Sequence, residues 1–389
     1  MVGDTASVGS STTFSRCSWV GLAVAVWAAF AGGCADDTAE TGGAGGGDVG
    51  GAGSGGAPHG PPEGAASLAL GSLGSCVVED DTGSMWCWGW NQNGQFGTRA
   101  STQFEIPYGV YELGPIRLME LSGDFGCAVV EAPLRVVCRG YDHGGTDQDA
   151  LTGVDVVGLA LGFGHVCALV SDGTVQCWGE NSGGQLGDGT LQGRMTAAPV
   201  PGLSNVRQIA GGADHTCAVL EDGTVECWGD DVSTPTPVAG LTNIQAIALS
   251  GGADCALDDS GAVYCYGQFG DCLANGSDSS CPEPTLVPGL SGMIDIGVGD
   301  ATACARDSSG AVICWGENGR GQLGDGTLTA NYTPTEVALP TAVTDMDVGD
   351  DHVCAYASGH VYCWGSNGNG QIGNGTTIDQ LTPLEVQFP

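Results

Sequence analysis

Lysine is absent from the 389-residue sequence, and all nine of its basic residues are arginines. Aspartate and glutamate together number 45, so the formal net charge is −36 at pH 7. Affinity for nucleic-acid backbones comes largely from Lys and Arg side chains that displace counterions. The charge therefore excludes most nucleic-acid binding, and it argues against docking on anionic lipid through a basic patch.

The sequence is also poor in charge overall, at 14% of residues, whereas glycine supplies 70 positions. Glycine at this density, without a strict triplet period, excludes collagen and disfavours a helical protein. The length exceeds that of one ordinary domain, which leaves two domains or one large repeat architecture.

No apolar run near the N-terminus is long enough for a comfortable transmembrane helix, since the run Trp19–Ala31 has only about 13 residues. It leads into Ala31-Gly-Gly-Cys34, which resembles the lipobox of bacterial lipoproteins, whose cysteine is lipidated. We therefore predict a signal peptide over 1–33 and lipidation of Cys34, with an ordinary signal peptide as the alternative. The expected location is extracytoplasmic on the bacterial cell envelope, or secreted, with membrane contact only through the lipid.

Residues 34–66 are rich in glycine and have almost no large apolar side chains. Such a segment cannot bury enough surface to offset the entropy of ordering it. We predict that it is a flexible tether between the anchor and a folded domain over 67–389.

Cysteine is abundant, with 18 residues, which indicates an oxidising compartment. From Ser67 onward one cysteine pattern recurs seven times, and the first cysteines of successive copies are 51, 40, 50, 38, 49 and 50 residues apart. Periods in this range are typical of propellers or solenoids, and the β-branched and aromatic content favours strands.

Each copy is predicted to be a β-hairpin that places two cysteines opposite each other. In the clearest copy, Cys167 and Cys177 flank a turn at Ser171-Asp-Gly173, where glycine can adopt positive φ. In the last copy the cysteines are one residue closer and the turn is correspondingly shorter, so the same pairing is kept. The predicted disulfides are Cys76–Cys87, Cys127–Cys138, Cys167–Cys177, Cys217–Cys227, Cys255–Cys265, Cys304–Cys314 and Cys354–Cys363, with Cys272–Cys281 in one loop.

The segments between hairpins are predicted to supply two further strands each. Half of such a connector precedes the first hairpin, at Ser67–Gly71, and half follows the last, at Pro383–Pro389. We therefore predict an all-β, seven-bladed β-propeller with four strands per blade. We expect the C-terminal strand to complete the blade that begins at the N-terminus, because that pairing would remove exposed sheet edges.

Three motifs recur in order along residues 67–389. They are Gly-x-x-His-x-Cys-Ala-Leu, Asp-Gly-x-Val-x-Cys-Trp-Gly, and a glycine-rich element seen at Glu180–Thr190. This succession resembles the repeat of the regulator of chromosome condensation family, and the resemblance implies a seven-bladed propeller. The Gly-Gln-Leu-Gly part of the third motif, as at Gly184–Gly187, is missing after the second, fourth and fifth hairpins.

The resemblance implies one possible activity, guanine-nucleotide exchange, together with chromatin binding. The acidic charge and the lack of a long insertion in the repeats argue against both.

An enzyme that uses loop carboxylates, such as Asp230-Asp231, Asp258-Asp259 or Asp350-Asp351, is the main alternative. We interpret these aspartates as turn residues. His165, His215 and His352 share one repeat position, which favours packing over catalysis.

No cofactor or metal site is predicted. The hairpin cysteines lack a short Cys-x-x-Cys spacing, which disfavours zinc. Asp188 and Asp325 recur in equivalent loops without the alternating oxygen ligands of a calcium loop, so we interpret them as turns.

The favoured function is a non-enzymatic, protein-binding propeller, because function on such scaffolds resides in loops. Three segments break the repeat: Tyr141–Thr152, Asp230–Pro237 and the Cys272–Cys281 loop. The acidic composition predicts a basic protein partner, and we expect the chain to be a monomer. The predicted partner-binding residues are Tyr141, Asp230, Asp231, Asp271 and Trp90.

Overall fold

The computed structural model describes residues 66–79, 82–97, 102–110, 113–140, 148–267 and 281–389. These residues form seven four-stranded antiparallel sheets arranged as the blades of a propeller. The predicted all-β, seven-bladed fold is therefore confirmed. Nothing in the described ranges is a helix of the length and apolarity needed to cross a membrane.

Each blade consists of four strands that are consecutive in the chain. The strands of blades 1 to 4 are β1 Ala66–Leu70, β2 Gly74–Glu79, β3 Met85–Gly89, β4 Phe104–Val110; β5 Ile116–Leu121, β6 Phe125–Glu131, β7 Leu134–Gly140, β8 Gln148–Thr152; β9 Val156–Leu161, β10 His165–Val170, β11 Val175–Gly179, β12 Arg194–Pro199; β13 Val206–Gly211, β14 His215–Leu220, β15 Val225–Gly229 and β16 Val232–Pro237. The strands of blades 5 to 7 are β17 Ile244–Leu249, β18 Asp254–Asp258, β19 Val263–Gly267, β20 Cys281–Leu286; β21 Met293–Val298, β22 Thr302–Asp307, β23 Val312–Gly316, β24 Asn331–Glu336; β25 Asp345–Val348, β26 His352–Ala357, β27 His360–Gly365 and β28 Gln380–Glu385.

The hairpin register places the cysteines of each copy directly opposite each other. Cys167 pairs with Cys177 and Cys354 with Cys363, although the two hairpins have turns of different length. The Cα atoms of each pair are 4.1–4.2 Å apart, and the structure contains the seven hairpin disulfides that the spacing predicts. Cys281 is also disulfide-bonded, whereas its predicted partner Cys272 lies outside the described residues.

One part of the predicted closure is wrong. The C-terminal strand β28 pairs with β27 in blade 7, and the N-terminal strand β1 pairs with β2 in blade 1, so no sheet combines the two ends of the chain. The reason is that each half-connector pairs with the hairpin next to it in sequence, which makes every blade contiguous.

The ring closes instead by packing blade 1 against blade 7. The carboxylate of Asp345 accepts a hydrogen bond of 2.9 Å from the main-chain nitrogen of Leu68, and Asp347 accepts one of 2.7 Å from Leu70. On the outer side, the ring of Phe388 packs edge-on against Trp86 and Trp88 of blade 1. These contacts bury one continuous apolar cluster between the first and last blades.

The propeller has two faces with different kinds of connection. On the face that we call the loop face, the first strand of each blade turns into the second, and the third strand connects to the fourth. On the opposite face, the turn face, short hairpin turns join the second strand to the third and connectors lead to the next blade. Asp172 stabilises one such turn, since its carboxylate accepts hydrogen bonds from the main-chain nitrogen and hydroxyl of Thr174.

Candidate functional site

All three segments that break the repeat span the connection between the third and fourth strands of a blade, and the described strand ends on either side of each connection lie on the loop face. They follow β7, β15 and β19, in blades 2, 4 and 5. Tyr141 and Asp271 lie outside the described residues. Asp230 and Asp231 lie in blade 4, and Trp90 lies at the end of β3 in blade 1, so the structure does not bring Trp90 and Asp230 together.

Where the Gly-Gln-Leu-Gly turn is present, it covers an indole ring of the next blade. In blade 3 the side-chain oxygen of Asn181 accepts a 2.8 Å hydrogen bond from the main-chain nitrogen of Leu186, which folds the loop back on itself. The main-chain carbonyl of Gln185 then accepts a 2.8 Å hydrogen bond from Nε1 of Trp228 in blade 4. The same bond joins Trp364 to Gln322 and Trp88 to Gln371, at 2.9 and 2.7 Å.

In blade 4 this long loop is replaced by a two-residue turn. Asp230 and Asp231 both have positive φ, at 49° and 72°, and they lie between the paired residues Gly229 and Val232. Positive φ at both central residues defines the tight type I′ hairpin turn, which follows the twist of the strands. Blade 4 therefore offers no Gly-Gln-Leu-Gly turn to cover the next blade.

The missing turn leaves a pocket between blades 4 and 5. It encloses about 280 Å³, and its wall includes Trp228, Asp230 and Val232 from blade 4 and Asp254 and Tyr266 from blade 5. Tyr266 takes the position that tryptophan has in most other blades. Its hydroxyl oxygen is buried and has no hydrogen-bond partner, because the carbonyl that would accept the equivalent bond is absent.

His215 connects the two sides of this pocket. Its Nε2 lies 3.1 and 3.2 Å from the two carboxylate oxygens of Asp254, and its Nδ1 lies 3.4 Å from Oδ2 of Asp230. Burial alone would lower the pKa of His215, but the carboxylates of Asp254, Asp230 and Asp214 outweigh it and raise the pKa above its ordinary value. The pocket wall thus holds one imidazole between two carboxylates, and about half of the Asp230 side chain is exposed.

The other two histidines at this repeat position are structural, as the sequence indicates. His165 shares a 2.8 Å hydrogen bond with Thr216 of the next blade, and His352 shares one of 2.9 Å with Ser75 of blade 1. Burial lowers the pKa of each of these histidines to about 3, so both are neutral at physiological pH. His215 differs because blade 5 presents Asp254 to it, whereas blades 4 and 1 present the hydroxyls of Thr216 and Ser75 to His165 and His352.

Sequence profiles of the Regulator of chromosome condensation (RCC1) repeat match several parts of the chain. One profile matches residues 172–219, 309–356 and 358–389, and a second matches 156–185, 206–233, 293–322 and 343–371. The chain carries RCC1 repeats. Together with the seven blades, these matches account for the recurring Cys-Trp-Gly and Gly-Gln-Leu-Gly elements.

Several known proteins resemble this RCC1-repeat chain over part of its length. The human E3 ubiquitin-protein ligase HERC2 is 30% identical over 129 residues, which are 30% of this chain and 3% of HERC2. Yeast RCC1 (Prp20), solved with Kap60, is 20% identical with a TM-score of 0.62, over 73% of this chain and 78% of that chain. Human WBSCR16 is 20% identical with a TM-score of 0.55, over 84% and 83% of the two chains. The ectodomain of the Physcomitrella patens receptor kinase CR4 is 21% identical with a TM-score of 0.51, over 77% and 73%.

The central channel of this RCC1-repeat propeller is acidic. It encloses about 180 Å³ between the first strands, and Glu120, Asp347 and Asp350 are on its wall. Burial raises the pKa of Asp347 to about 7, although the main-chain N–H groups of Leu70 and Val348 donate to its carboxylate. Burial likewise raises the pKa of Asp350 to about 6.

Two further candidate acids of the RCC1-repeat propeller, Asp188 and Asp258, stabilise turns. Asp188 accepts hydrogen bonds from the main-chain nitrogen and hydroxyl of Thr190, and Asp258 does the same for Ser260. In the part of the chain that the structure describes, no three His, Cys, Asp or Glu side chains converge as a group that could hold a metal ion.

Proposed function

We propose that the protein is a non-enzymatic, protein-binding propeller that meets its partner with the loop face. One observation carries this proposal: the strand ends that flank the three segments that break the repeat all lie on that face. The seven disulfide-bonded blades hold the bases of these loops in fixed positions. A rigid scaffold with variable loops on one side is the arrangement that proteins commonly use for recognition.

The charge of the loop face supports a basic partner. Its central turns carry Asp214, Asp300 and Asp350. The arginines described at this face already have partners: Arg194 pairs with Asp188, Arg320 pairs with Asp379, and the buried Arg139 donates to the main-chain carbonyl of Gly97. Facing charges of opposite sign accelerate encounter and select partners. Binding of proteins by a related fold has a precedent in yeast Prp20, which has been studied for its binding to Gsp1p and histones.

We also propose that this binding takes place outside the cytoplasm, with Cys34 carrying the lipid anchor. The disulfide in every blade supports an oxidising compartment. The fold is also similar to that of a receptor-kinase ectodomain, which supports this proposal. Incorporation of labelled fatty acid into the protein, and its loss in Cys34→Ala, tests the anchor.

Capture of a partner tests the binding function. The purified protein is immobilised with its disulfides intact and exposed to an extract of envelope and secreted proteins, and retained proteins are identified. We expect a variant with alanine at Asp230–Ser233 on the loop face to lose capture. The matched control carries alanine at Glu221, Asp222 and Thr224. These residues form the turn between β14 and β15 on the turn face, at the opposite end of β15. Equal loss in both variants, or in neither, would contradict the proposal.

A further inference from the structure

We propose that the pocket between blades 4 and 5 receives a glycine-rich turn of the protein partner, with an arginine or lysine side chain beside Asp230. This inference rests on the proposed function, since it names the part of the partner that binds. We call this pocket the blade 4–5 pocket and define it by His215, Trp228, Asp230, Asp254 and Tyr266.

The first argument is the structural equivalence of the blade interfaces. At three interfaces the indole nitrogen of one blade donates to the main-chain carbonyl of a glutamine in the preceding blade, at Gln185, Gln322 and Gln371. At the blade 4–5 interface the donor position holds Tyr266, and blade 4 has no such turn. The partner turn would therefore occupy the place that the Gly-Gln-Leu-Gly turn fills elsewhere in the same molecule.

The second argument is the unused donor. The hydroxyl oxygen of Tyr266 is buried without a hydrogen-bond partner, and an unpaired polar group in a protein interior costs free energy. Burial and the nearby Asp254 raise the pKa of this hydroxyl, which keeps its proton in place as a donor. A main-chain carbonyl of the incoming turn supplies the acceptor that is missing.

The third argument is charge. Asp254 is hydrogen-bonded to His215, whereas Asp230 lies 3.4 Å from the same imidazole and is about half exposed. Two carboxylates of the pocket wall, those of Asp230 and Asp254, lie within 3.4 Å of the imidazole nitrogens, so the site remains negative even when His215 is protonated. An arginine or lysine next to Asp230 gains a charge-assisted hydrogen bond there.

Direct binding of a small probe tests the inference without the natural partner. The probe is a backbone-cyclised peptide that presents Gly-Arg-Leu-Gly as a turn, and the comparison peptide presents Gly-Gln-Leu-Gly. Affinities for the full-length, disulfide-bonded protein are measured by calorimetric titration. We expect the arginine peptide to bind about tenfold more tightly, the effect of one charge-assisted bond near a surface. Equal affinity of the two peptides, or no binding of either in the millimolar range, would overturn the proposal.

Two pairs of variants locate the peptide in the pocket. Asp230→Asn should weaken binding of the arginine peptide by about tenfold, whereas Asp231→Asn should not, because Asp231 belongs to the same turn but not to the pocket wall. Asparagine tolerates the positive φ of both positions, which preserves the turn.

Tyr266→Phe should weaken binding by about three- to tenfold. Its control is Tyr264→Phe, on the same strand and outside the pocket.

The melting temperature of the free protein provides a second readout for Tyr266. Because its hydroxyl has no partner to lose, Tyr266→Phe should leave the melting temperature unchanged or raise it, while peptide binding falls. A lower melting temperature with unchanged binding would show that the hydroxyl serves the fold and would overturn the proposal. Partner capture that survives Asp230→Asn and Tyr266→Phe would reject this pocket alone, whereas failure to capture any partner would reject the proposed function.

Discussion

The indole nitrogen of Trp228 donates a 2.8 Å hydrogen bond to the main-chain carbonyl of Gln185 in the preceding blade. Trp228 is almost fully buried, and Cβ of a side chain at Gly187 would lie only 2.9 Å from its ring, so the glycine-rich turn fits directly over the indole. This bond fastens the loop of one blade to the sheet of the next. It thereby couples the conformation of the loop face to the packing of the ring.

The contribution of this bond can be isolated with two tryptophans. Trp228→Phe loses both ring volume and the bond to Gln185, whereas Trp315→Phe loses only ring volume, because Nε1 of Trp315 has no hydrogen-bond partner. We therefore expect Trp228→Phe to cost about 1 kcal/mol more in the free energy of unfolding than Trp315→Phe. Urea denaturation measures the difference. Equal losses would indicate that the bond does not stabilise the native state.

The hydrogen bond between His352 of blade 7 and Ser75 of blade 1 gives a second prediction. Ser75→Ala should destabilise the protein by about 1–3 kcal/mol, since Nε2 of the fully buried His352 then lacks a partner. Ser75→Thr should retain most of the stability, because Thr216 forms the same kind of bond with His165. Thermal unfolding of both variants checks the prediction. A Thr variant as unstable as the Ala variant would show that packing at Ser75, rather than the hydrogen bond, is what matters.

Removal of a single disulfide should weaken the whole propeller. A bridge that closes a hairpin of this length contributes about 2–3 kcal/mol in the chain-entropy account. We expect Cys167→Ala with Cys177→Ala to reduce the free energy of unfolding by at least that amount, since both cysteines are fully buried and their removal also leaves a cavity. Denaturant unfolding of the purified variant measures the loss, and an unchanged midpoint would contradict the expectation.

The buried acids predict that the protein is less stable as the pH rises. Burial raises the pKa of Asp347 to about 7 and that of Asp295 to about 6, whereas an unfolded aspartate titrates near 4. The native state therefore holds more protons than the unfolded state between these values, and the free energy of unfolding falls as the pH increases from about 4 to about 7. Hydrogen bonds from Thr174 lower the pKa of the turn aspartate Asp172. The stability that such aspartates contribute is fully present above about pH 4 and is lost as the pH falls further.

Thermal unfolding between pH 4 and pH 8 tests this dependence. We expect the midpoint to be highest at about pH 4–5 and to fall up to about pH 7. We expect Asp347→Asn to make that fall shallower, because the amide oxygen still accepts from Leu70 without a charge to bury. A midpoint that rises between pH 5 and pH 8, or a slope that Asp347→Asn leaves unchanged, would contradict the assignment.

Local spacing was sufficient to predict the blades. Cys354 and Cys363 were expected to pair because a shorter turn compensates for their closer spacing, and the register agrees. Pairing between distant segments was harder to predict. The sequence contains both half-connectors but does not specify with which hairpin each one pairs. The closing contacts of Asp345 with Leu68 depend on that choice, and they therefore became visible only in the structure.

The candidate site was predictable only in part. Asp230 and Asp231 are predicted from the sequence because their segment interrupts the repeat, whereas Tyr266, which takes the position of a tryptophan, is recognised as part of the site only once the structure shows it there. The two-residue turn of blade 4 and the tyrosine of blade 5 line the same pocket because each loop contacts the next blade. The period of the repeat does not reveal that contact. Asp254 was missed, although it stands where Ser75 and Thr216 stand in their repeats, immediately before the first cysteine.

No sheet contains strands from both ends of the chain. Each blade, with its disulfide, can therefore fold as soon as its own segment of the polypeptide has been synthesised. Assembly can then proceed blade after blade, and only the final docking of Phe388 and Asp345 onto the first blade has to await the last residues. A circularly permuted chain cut between any two blades would keep every sheet whole and would shift only the place where that last docking occurs.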